Sequence, residues 1–571
     1  MTIASIGELT ARQRKIIRAW CMYDWANSGF ATSGAVAIFP FYFVFLFEES
    51  LGNSASFFGI NFTGSSMWSL GVAVSTAIVA LSSPVIGVIA DRVPIKKALL
   101  WAYTIAGSLF TALAFFSAYT SQPWLWLFGM FSLANIGFAG GLVFYNAFLP
   151  HVAPRNLLDD VSSRGFAYGY LGGGLLLLAH LILIMLTQDS SIADLVTRIA
   201  MASIGVWWFG WALWTLLVVP EPPTYNRIEK LNALTTLSLA FSELSRTFRE
   251  LKRFRVVLIY LGAYLLFNDG LQTVMSIAGA FAADTLGIAL VFNMATILII
   301  QFVAVPGALV FGKLAMRFTT KGALTLSLVG WCLIVLFGVA ITPLVPSDHS
   351  DFDYQLSHQT SSGDYLVEKA PELEDSRIDV LWKEEVGEYS DGDLLSSGIA
   401  SSLSESVRLS ENSAYSISIE GGALDGGKNI GQLHPSTLGS GPLDGWPTLV
   451  RDTLWEPLGL DAGYQFLILG VFTGMVIGGS QALARSLFAQ ITPETRSGEF
   501  FSFFGFMSRA SAVFGPILYI IVTSAFDTRS AITSILVIII AGTIVLKWVD
   551  VQAGVRTADE EDARRRAESQ E

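Results

Sequence analysis

The main repeat of this chain first occurs in the sequence Tyr23-Asp24-Trp25-Ala26-Asn27-Ser28-Gly29-Phe30-Ala31-Thr32. Much of the pattern returns in the second half of the chain, where the offsets of Tyr23, Asn27, Gly29 and Thr32 are repeated by Tyr264, Asn268, Gly270 and Thr273. Each copy lies early in a long apolar segment and contains an acidic residue, Asp24 in the first and Asp269 in the second. A repeat of this kind predicts two homologous halves that face each other across a polar path.

The composition around this repeat is that of a membrane protein. Of the 571 residues, 52% are hydrophobic and only 14% are charged, whereas a soluble domain carries about 25% charged residues. The two cysteines lie in separate apolar segments and predict no disulfide framework. We find no nucleotide-binding, metal-binding or catalytic signature, so we expect no cofactor, no nucleic-acid partner and no enzymatic activity.

Twelve apolar segments are long enough to cross about 30 Å of hydrocarbon as helices. They lie near residues 19–46, 66–90, 98–117, 123–148, 165–187, 199–219, 256–283, 288–311, 322–343, 463–487, 499–526 and 529–549. Most of the 35 Lys and Arg residues fall in loops on the side of the N-terminus. The positive-inside rule therefore places both termini in the cytoplasm.

These segments divide the chain into an N-terminal six-helix bundle (1–219) and a C-terminal six-helix bundle (256–343 and 463–549). A charged cytoplasmic tail follows at 550–571, and a basic linker at 220–255 joins the bundles. The linker fits either an amphipathic helix on the membrane surface or a solvated segment whose charge only sets topology.

Residues 344–462 form a long acidic insertion between helices 9 and 10, with 22 acidic residues against six basic ones. The alternation of spans places the insertion on the extracytoplasmic side. Either a small folded module or a disordered acidic loop fits its composition, and its small apolar content favours the loop.

Two further repeats support two parallel halves. Gly87-Val-Ile-Ala-Asp91-Arg92, with Lys96 after it, is echoed by Gly312-Lys-Leu-Ala-Met-Arg317 and Lys321. Leu149-Pro-His-Val-Ala-Pro154 after the fourth segment matches Phe488-Ala-Gln-Ile-Thr-Pro493 after the tenth. Three matched landmarks in the same order predict parallel repeats of six helices each.

At these residues the chain resembles the major facilitator superfamily, whose loop between helices 2 and 3 reads roughly G-x-x-x-D-R-x-G-R-[KR]. Gly87, Asp91, Arg92, Lys96 and Lys97 fit this pattern, whereas Pro94 stands where the second glycine is usual. The resemblance implies twelve helices and alternating access.

More narrowly, the membrane part resembles the autophagy-related vacuole effluxer family, particularly its bacterial branch. The similarity lies in the 23–32 sequence and in Phe144-Tyr-Asn-Ala-Phe-Leu-Pro150, Gly169-Tyr-Leu-Gly-Gly173 and Phe267-Asn-Asp-Gly270. This family implies secondary transport without ATP, with amino-acid export from the fungal vacuole as its best-known role. The resemblance does not extend to the acidic insertion, so it implies nothing about the structure or role of that segment.

Two charged residues fall deep in the predicted membrane part, Asp269 in span 7 and Arg509 in span 11. Their similar depth and opposite sign predict an ion pair, because a charge in the bilayer needs a partner or a water-filled cavity. One interpretation is a switchable pair in which a proton or a substrate carboxylate competes for one partner. The other is a permanent structural pair.

Further polar residues are candidates for the translocation path. The resembled fold implies that spans 1 and 7 line a central cavity. The repeat places three polar residues on one face of each span: Tyr23, Asn27 and Thr32 on span 1, and Tyr264, Asn268 and Thr273 on span 7. Packing between helices is the competing interpretation of such residues. The candidate path residues are Tyr23, Asp24, Asn27, Thr32, Asn146, Tyr264, Asn268, Asp269, Thr273 and Gln481. For Asp24 an alternative role is to cap the first turn near the membrane boundary, and a lone His180 fits an interhelical hydrogen bond.

We interpret the glycine and charge repeat as a cytoplasmic gate, in which glycine allows close helix approach and Asp91 caps a neighbouring helix. A short positively charged turn is the alternative. The predicted gate residues are Gly87, Asp91, Arg92, Lys96, Gly312 and Arg317.

The sequence thus predicts a monomeric secondary transporter that moves a small polar solute, with amino-acid efflux as the first hypothesis and protons as a candidate co-substrate. One alternative is proton-coupled uptake of an organic acid or peptide. Another is a non-transporting membrane receptor that acts through the 344–462 insertion. We expect the bacterial inner membrane as its location, or the vacuolar membrane if the source is fungal.

Overall fold

The computed structural model describes residues 6–52, 55–57, 60–187, 190–224, 253–284, 286, 288, 290–373, 377–438, 441–511 and 514–569. The amphipathic helix considered for the linker falls on residues 225–252, outside the described part of the chain.

Within the described residues, twelve helices are long and apolar enough to cross a membrane, which agrees with the predicted number. We number these helices span 1 to span 12. They are Ala11–Leu51, Gly64–Arg92, Lys96–Tyr119, Pro123–Val152, Arg155–Thr187, Ala193–Val218, Arg255–Gly279, Phe292–Arg317, Thr320–Val339, Ala462–Ile491, Glu494–Ala525 and Thr528–Lys547.

Span 5 begins ten residues before its predicted start, and most other spans begin and end within a few residues of the predicted bounds, apart from span 1. Span 1 begins at Ala11 rather than near residue 19, because Thr10 and Gln13 form a capping box that starts the helix in a polar segment. Its middle section, Phe30–Ile38, has π-helical hydrogen bonding immediately before the helix that contains Pro40. Proline lacks the N–H that a regular ladder needs, which accounts for the change of pattern.

The face of the bundle at which span 1 begins is called the inner face here, and the opposite face is the outer face. The positive-inside rule predicts that the inner face is cytoplasmic. A short outer hairpin, β1 (Ala55–Phe57) and β2 (Ile60–Phe62), connects spans 1 and 2.

The insertion between spans 9 and 10 is folded, so the expectation of a disordered loop is wrong. It contains a five-stranded sheet of order β5-β4-β3-β6-β7. The strands are β3 (Tyr354–His358), β4 (Tyr365–Lys369), β5 (Leu394–Leu395), β6 (Ser416–Glu420) and β7 (Gly427–Ile430). The central β3 pairs in parallel with β6 and antiparallel with β4. Helices α1 (Arg377–Val386) and α2 (Ser397–Leu409) accompany the sheet.

The insertion folds because its few apolar residues collect in one core. Alternate residues of β3 and β4 are buried, as strand periodicity requires, together with one side of α2. Trp382 of α1 is fully buried and donates a hydrogen bond from Nε1 to the Tyr354 hydroxyl over 3.0 Å. The small number of apolar residues is therefore sufficient to form a core, because many of them are buried together in a single cluster.

The insertion is attached to the outer ends of the membrane helices. A third helical segment, α3, is built from Gly445–Val450, Arg451–Trp455 and Glu456–Leu458. Its two tryptophans donate to backbone carbonyls, Trp446 to Leu336 at 2.9 Å and Trp455 to Ala340 at 3.1 Å.

The charged tail also has regular structure. It forms helix α4 (Val551–Glu568), whose N-terminus is capped by Asp550. This helix packs against the inner ends of spans 10 and 11.

Candidate substrate site and inner gate

A cavity of about 380 Å³ lies between the two halves of the molecule. Its walls come from spans 1, 4 and 5 of the first half and from spans 7, 8, 10 and 11 of the second. Seven of the ten candidate path residues line it, namely Asp24, Asn27, Thr32, Asn146, Tyr264, Asn268 and Gln481. The repeat therefore locates a polar chamber shared by the two halves.

The strongest electrostatic feature of this cavity is an ion pair between Asp24 of span 1 and Arg485 of span 10. Both Nη atoms of Arg485 lie 3.2 Å from Asp24 Oδ2, and both side chains are buried. The Tyr145 hydroxyl donates to the same carboxylate oxygen over 2.8 Å. Because one partner comes from each half, the pair joins the halves at the cavity wall.

The remaining donors of Arg485 are also used. Its Nη1 donates to Asn146 Oδ1 over 3.2 Å, and its Nε donates to Ser162 Oγ over 3.0 Å. Aromatic rings surround the guanidinium, whose carbon lies 4.1 Å from the Phe166 ring centre and 4.9 Å from that of Trp20. Such rings stabilise a cation that has lost its water.

Gly165 of span 5 allows this packing. A Cβ atom at Gly165 would lie 2.6 Å from Asp24 Oδ2 and 2.8 Å from Arg485 Nη2. Real Cβ atoms do not approach polar atoms that closely, so any larger residue displaces the ion pair.

Sequence analysis missed Arg485, which the span bounds placed at a helix end. The sequence does contain an indication of its role. The repeat that aligns residues 149–154 with residues 488–493 also aligns Asn146, a candidate path residue, with Arg485. The two side chains are hydrogen-bonded across the interface between the halves. Extending the repeat by one helical turn identifies the cation.

The predicted pairing of Asp269 with Arg509 is not formed among the described residues. Arg509 donates to the backbone oxygens of Gly505 at 2.8 Å and of Ala139, in the other half, at 2.9 Å. Asp269 accepts from the backbone nitrogen of Phe514 at 3.1 Å. Sequence position sets the depth of a side chain in the membrane but not its direction around the helix. Arg509 of span 11 contacts span 4 of the other half, whereas Asp269 of span 7 contacts the backbone of Phe514 within its own half.

Three candidate path residues, Tyr23, Asp269 and Thr273, support the structure around the cavity instead of lining it. The Tyr23 hydroxyl is hydrogen-bonded to Thr104 at 2.9 Å, and its ring stacks on Tyr145. Thr273 donates to the backbone oxygen of Asp269. His180, as expected, bridges helices through hydrogen bonds to Ser33 and Ser203.

The residues of the predicted gate join the two halves on the inner side of the cavity. Asp91 accepts hydrogen bonds from the backbone nitrogens of Gly498 at 2.9 Å and Glu499 at 2.8 Å, and so caps the first turn of span 11. Lys96 lies 2.6 Å from Asp91 and donates to Ser497. A Cβ at Gly87 would lie 2.3 Å from Ser502 Oγ, so glycine lets spans 2 and 11 approach.

The second copy of the gate repeats the close approach but not the charge. A Cβ at Gly312 would lie 2.4 Å from Ser163 Oγ, which mirrors Gly87 and Ser502. Met316 stands where the first copy has Asp91, and Asp159 of span 5 makes the polar contacts instead. It accepts from Thr320 at 2.7 Å, from Gln490 at 3.1 Å and from Ser486.

The two predicted gate arginines, Arg317 and Arg92, do not share the buried contact that Asp91 makes with span 11. The Arg317 guanidinium lies 6.0 Å from the ring of the exposed Phe318, on the outside of the gate contact. Arg92 lies at the last residue of span 2, beside the gate.

Helix α4 reinforces the inner gate from below. Asp562 accepts from the backbone nitrogens of Glu494 and Thr495, the first two residues of span 11, at 3.0 and 2.9 Å. Asp559 pairs with Arg155 of the first half. The tail thus contacts both halves while the inner side is closed.

A buried cluster of charges holds α4 in place. Glu561 of α4 contacts Arg564 at 2.8 Å, Arg565 at 3.1 Å and Arg496 of the gate region at 3.6 Å. Burial raises the pKa of Glu561, but the hydrogen bond from Arg564 and the charges of Arg496 and Arg565 outweigh burial and keep that pKa below its usual value.

The polar contacts described between the halves extend from the inner face to the depth of the cavity, where Arg509 contacts Ala139 and Tyr170 donates to Gln481. The two halves are therefore joined on the inner side of the cavity, which is the arrangement that the inner-closed state of an alternating-access cycle requires.

Comparisons with known proteins agree with this geometry. A family model described as "Vacuole effluxer Atg22 like" matches residues 12–347 and 444–559. The unmatched stretch between these ranges contains the sheet of the insertion.

Among curated proteins, the chain is 30% identical over 322 residues to the uncharacterized MFS-type transporter YxiO of Bacillus subtilis, covering 56% of this chain and 72% of that protein. It is 22% identical over 407 residues to autophagy-related protein 22-1 of Aspergillus niger, covering 70% of this chain and 49% of the longer fungal protein.

Among solved structures, the fold is similar to that of the proton:xylose symporter XylE, with a TM-score of 0.55, 11% identity and coverage of 94% of this chain and 96% of that one. It also resembles the Escherichia coli fucose:proton symporter FucP, with a TM-score of 0.50, 10% identity and coverage of 94% and 98%. At these identities the similarity shows the fold alone. The family match over most of the membrane part, together with a cavity between two six-helix halves, shows that this chain belongs to the Atg22-like effluxer family of major facilitator transporters, which work by secondary transport.

Proposed function

We propose that this transporter exports amino acids and binds them at the Asp24–Arg485 pair. The observation that supports this proposal is one buried carboxylate and one buried guanidinium, from opposite halves, at the wall of the same cavity. A zwitterionic amino acid carries the complementary charges on adjacent groups, so its carboxylate can bind Arg485 while its ammonium binds Asp24. Planar bidentate binding is the geometry in which arginine best recognises a carboxylate.

The size and lining of the cavity suit such a solute. A volume of about 380 Å³ is at the small end of ligand pockets and leaves room for a side chain beside the backbone groups. Asn27, Asn268 and Gln481 supply neutral hydrogen-bonding groups, and Phe138 and Phe267 supply apolar surface. A lining with both polar and apolar groups can accommodate amino acids with different side chains.

Substrate binding would also loosen the gate. A carboxylate that replaces Asp24 at Arg485 competes with the contacts of Arg485 to Asn146 and Ser162, which join the halves directly above the inner gate. Asp24 then contacts the ammonium group of the substrate, and it is the group able to take up a proton once the substrate has left. We therefore assign proton coupling, if present, to Asp24 in place of Asp269.

The test is counterflow of labelled amino acids in proteoliposomes at several imposed pH gradients. We expect Arg485→Gln and Asp24→Asn each to lower counterflow at least tenfold, because each leaves a buried charge without its partner. Asp269→Asn is the matched control, since it removes a buried membrane carboxylate outside the cavity wall. Equal loss in all three variants, or wild-type activity in Arg485→Gln, would contradict the proposal.

The same assay separates the alternatives. An organic acid needs only a cation, so its transport would survive in Asp24→Asn but not in Arg485→Gln. For direction, the inner-closed state must receive substrate from the inner face after the gate opens. Export predicts faster release from inside-loaded vesicles when the protein is oriented with α4 inside. A receptor that acts only through the insertion predicts no flux of any solute.

A further inference from the structure

A second cavity, of about 380 Å³, lies on the side of the first half, away from the substrate site. It is bounded by the inner ends of spans 1, 5 and 6. Three arginines line it, Arg14 and Arg18 from span 1 and Arg164 from span 5. Arg164 pairs with Asp160 at 2.8 Å, and Arg14 donates a hydrogen bond to the backbone oxygen of Gly7 over 2.7 Å. Within the described residues, neither Arg14 nor Arg18 has an ion pair. The cavity therefore has an excess of positive charge.

The cavity lies near the inner ends of the membrane-spanning helices, at the level where we expect phospholipid head groups. Arg14 and Arg18 lie three and seven residues into span 1, so they are within about 10 Å of its inner end at 1.5 Å per residue. Trp214, four residues before the end of span 6, and Tyr168 of span 5 complete the wall and are partly exposed on the lipid side. Aromatic residues of this kind mark the membrane interface.

A largely apolar groove lies along span 6, farther from its inner end than this cavity. It has a volume of about 570 Å³ and is lined by Leu176 of span 5 and by Ser203, Val206, Trp207, Gly210 and Trp211 of span 6. Trp214, Trp211 and Trp207 follow one another at steps of one helical turn, so the basic cavity and the groove share one side of span 6. Val206 is 69% exposed on this surface.

We infer that this composite site binds an anionic phospholipid, with its phosphate among Arg14, Arg18 and Arg164 and an acyl chain along the groove of span 6. A phosphodiester matches the guanidinium donors, and the groove matches a hydrocarbon chain of the same leaflet. The site is separate from the Asp24–Arg485 pair and involves none of the groups proposed to bind substrate. Basic pockets between membrane helices on the cytoplasmic side are known settings for such head groups.

The test uses purified full-length protein and measures binding of phosphatidylglycerol by native mass spectrometry and by the shift in thermal unfolding temperature. Phosphatidylcholine and inorganic phosphate are tested in parallel. We expect phosphatidylglycerol to bind and stabilise the protein far more than either. We expect Arg14→Gln/Arg18→Gln to weaken its binding about thirtyfold, from the attraction of two cations near an anionic surface.

The matched control is Arg12→Gln/Lys15→Gln, which removes two exposed charges from the same turns of span 1 outside the cavity. It should bind phosphatidylglycerol as the wild type does. Binding by the Arg14 and Arg18 variant that equals the wild type would overturn the inference. Equal binding of phosphatidylcholine would show an unspecific lipid layer, and equal stabilisation by inorganic phosphate would show a free-phosphate site.

A groove variant keeps the inference testable if the arginine variant does not fold. A Cβ at Gly210 would meet no described atom within 4 Å, so Gly210→Leu fits the fold and fills the groove. We expect phosphatidylglycerol to bind at least fivefold more weakly. Binding of glycerol phosphate, which has the head group but no acyl chain, should be unchanged. Unchanged lipid binding in Gly210→Leu would refute the acyl-chain part of the inference.

Discussion

Asp91→Asn should open the inner gate without removing the fold. Asp91 and Lys96 are both nearly fully buried, and Asp91 connects the first half to the start of span 11 through two backbone hydrogen bonds. These contacts must break when the inner side opens, because Asp91 and Gly498 belong to opposite halves. The variant therefore destabilises the inner-closed state more than the inner-open state.

The size of this effect follows from the contacts. An amide keeps one acceptor for Gly498 or Glu499, but it presents an NH₂ group to the other backbone N–H, so a contact between the halves is lost. The attraction to Lys96 at 2.6 Å lies within the first half and is lost in both states. A hydrogen bond to a charged group contributes about 1.5–3 kcal/mol, so a loss of about 3 kcal/mol is a reasonable total. This shifts the equilibrium between the two states roughly a hundredfold.

The assay is electron–electron distance measurement between spin labels at Lys97 and Lys313, which lie at the inner ends of different halves. Wild-type protein should give mainly the short distance of the inner-closed state, and Asp91→Asn should add a longer one. Asp160→Asn is the control, because Asp160 pairs with Arg164 of its own helix. An unchanged distance distribution in Asp91→Asn would refute the assignment of this contact as the gate.

Three further predictions follow from contacts elsewhere. Gly165→Ala should reduce counterflow more than tenfold, because its methyl group collides with Asp24, whereas Gly262→Ala, with no described atom within 4 Å of its Cβ, should be harmless. Glu561 has a lowered pKa, so its contribution to thermal stability should be present above pH ~4.5 and be lost as the pH falls through the folded pKa; Glu561→Gln should remove that dependence. Trp382→Ala should destabilise the insertion by about 3–5 kcal/mol and unfold it, while the membrane part still transports. Circular dichroism reports the folding of the insertion, and flux reports transport. A variant that loses transport together with the folded insertion would contradict the independence of the two parts.

The acidic insertion shows the limit of composition as evidence. Its high charge and low apolar content are typical of disordered segments, yet Tyr354, Trp382 and Ile417 meet in one core. Strand alternation was visible in Tyr415-Ser-Ile-Ser-Ile419, but only pairing of β6 with β3, more than fifty residues earlier, buries it. Pairing between distant strands is a property of the whole fold, so the local sequence indicates the strand without its partner.

The sequence by itself determined the membrane class, the twelve spans, the two parallel halves and the capping role of Asp91, because each depends on local hydropathy or on a repeat that the chain displays directly. It also located most of the cavity wall, since the repeated polar residues recur at helical spacing. Only the tertiary structure decided which charges meet. Depth along a helix is set by sequence position, but the direction of a side chain is set by how the helices rotate and cross. That rotation brings Arg485 to Asp24, turns Arg509 toward Ala139, and places Asp159 where the second gate repeat has Met316.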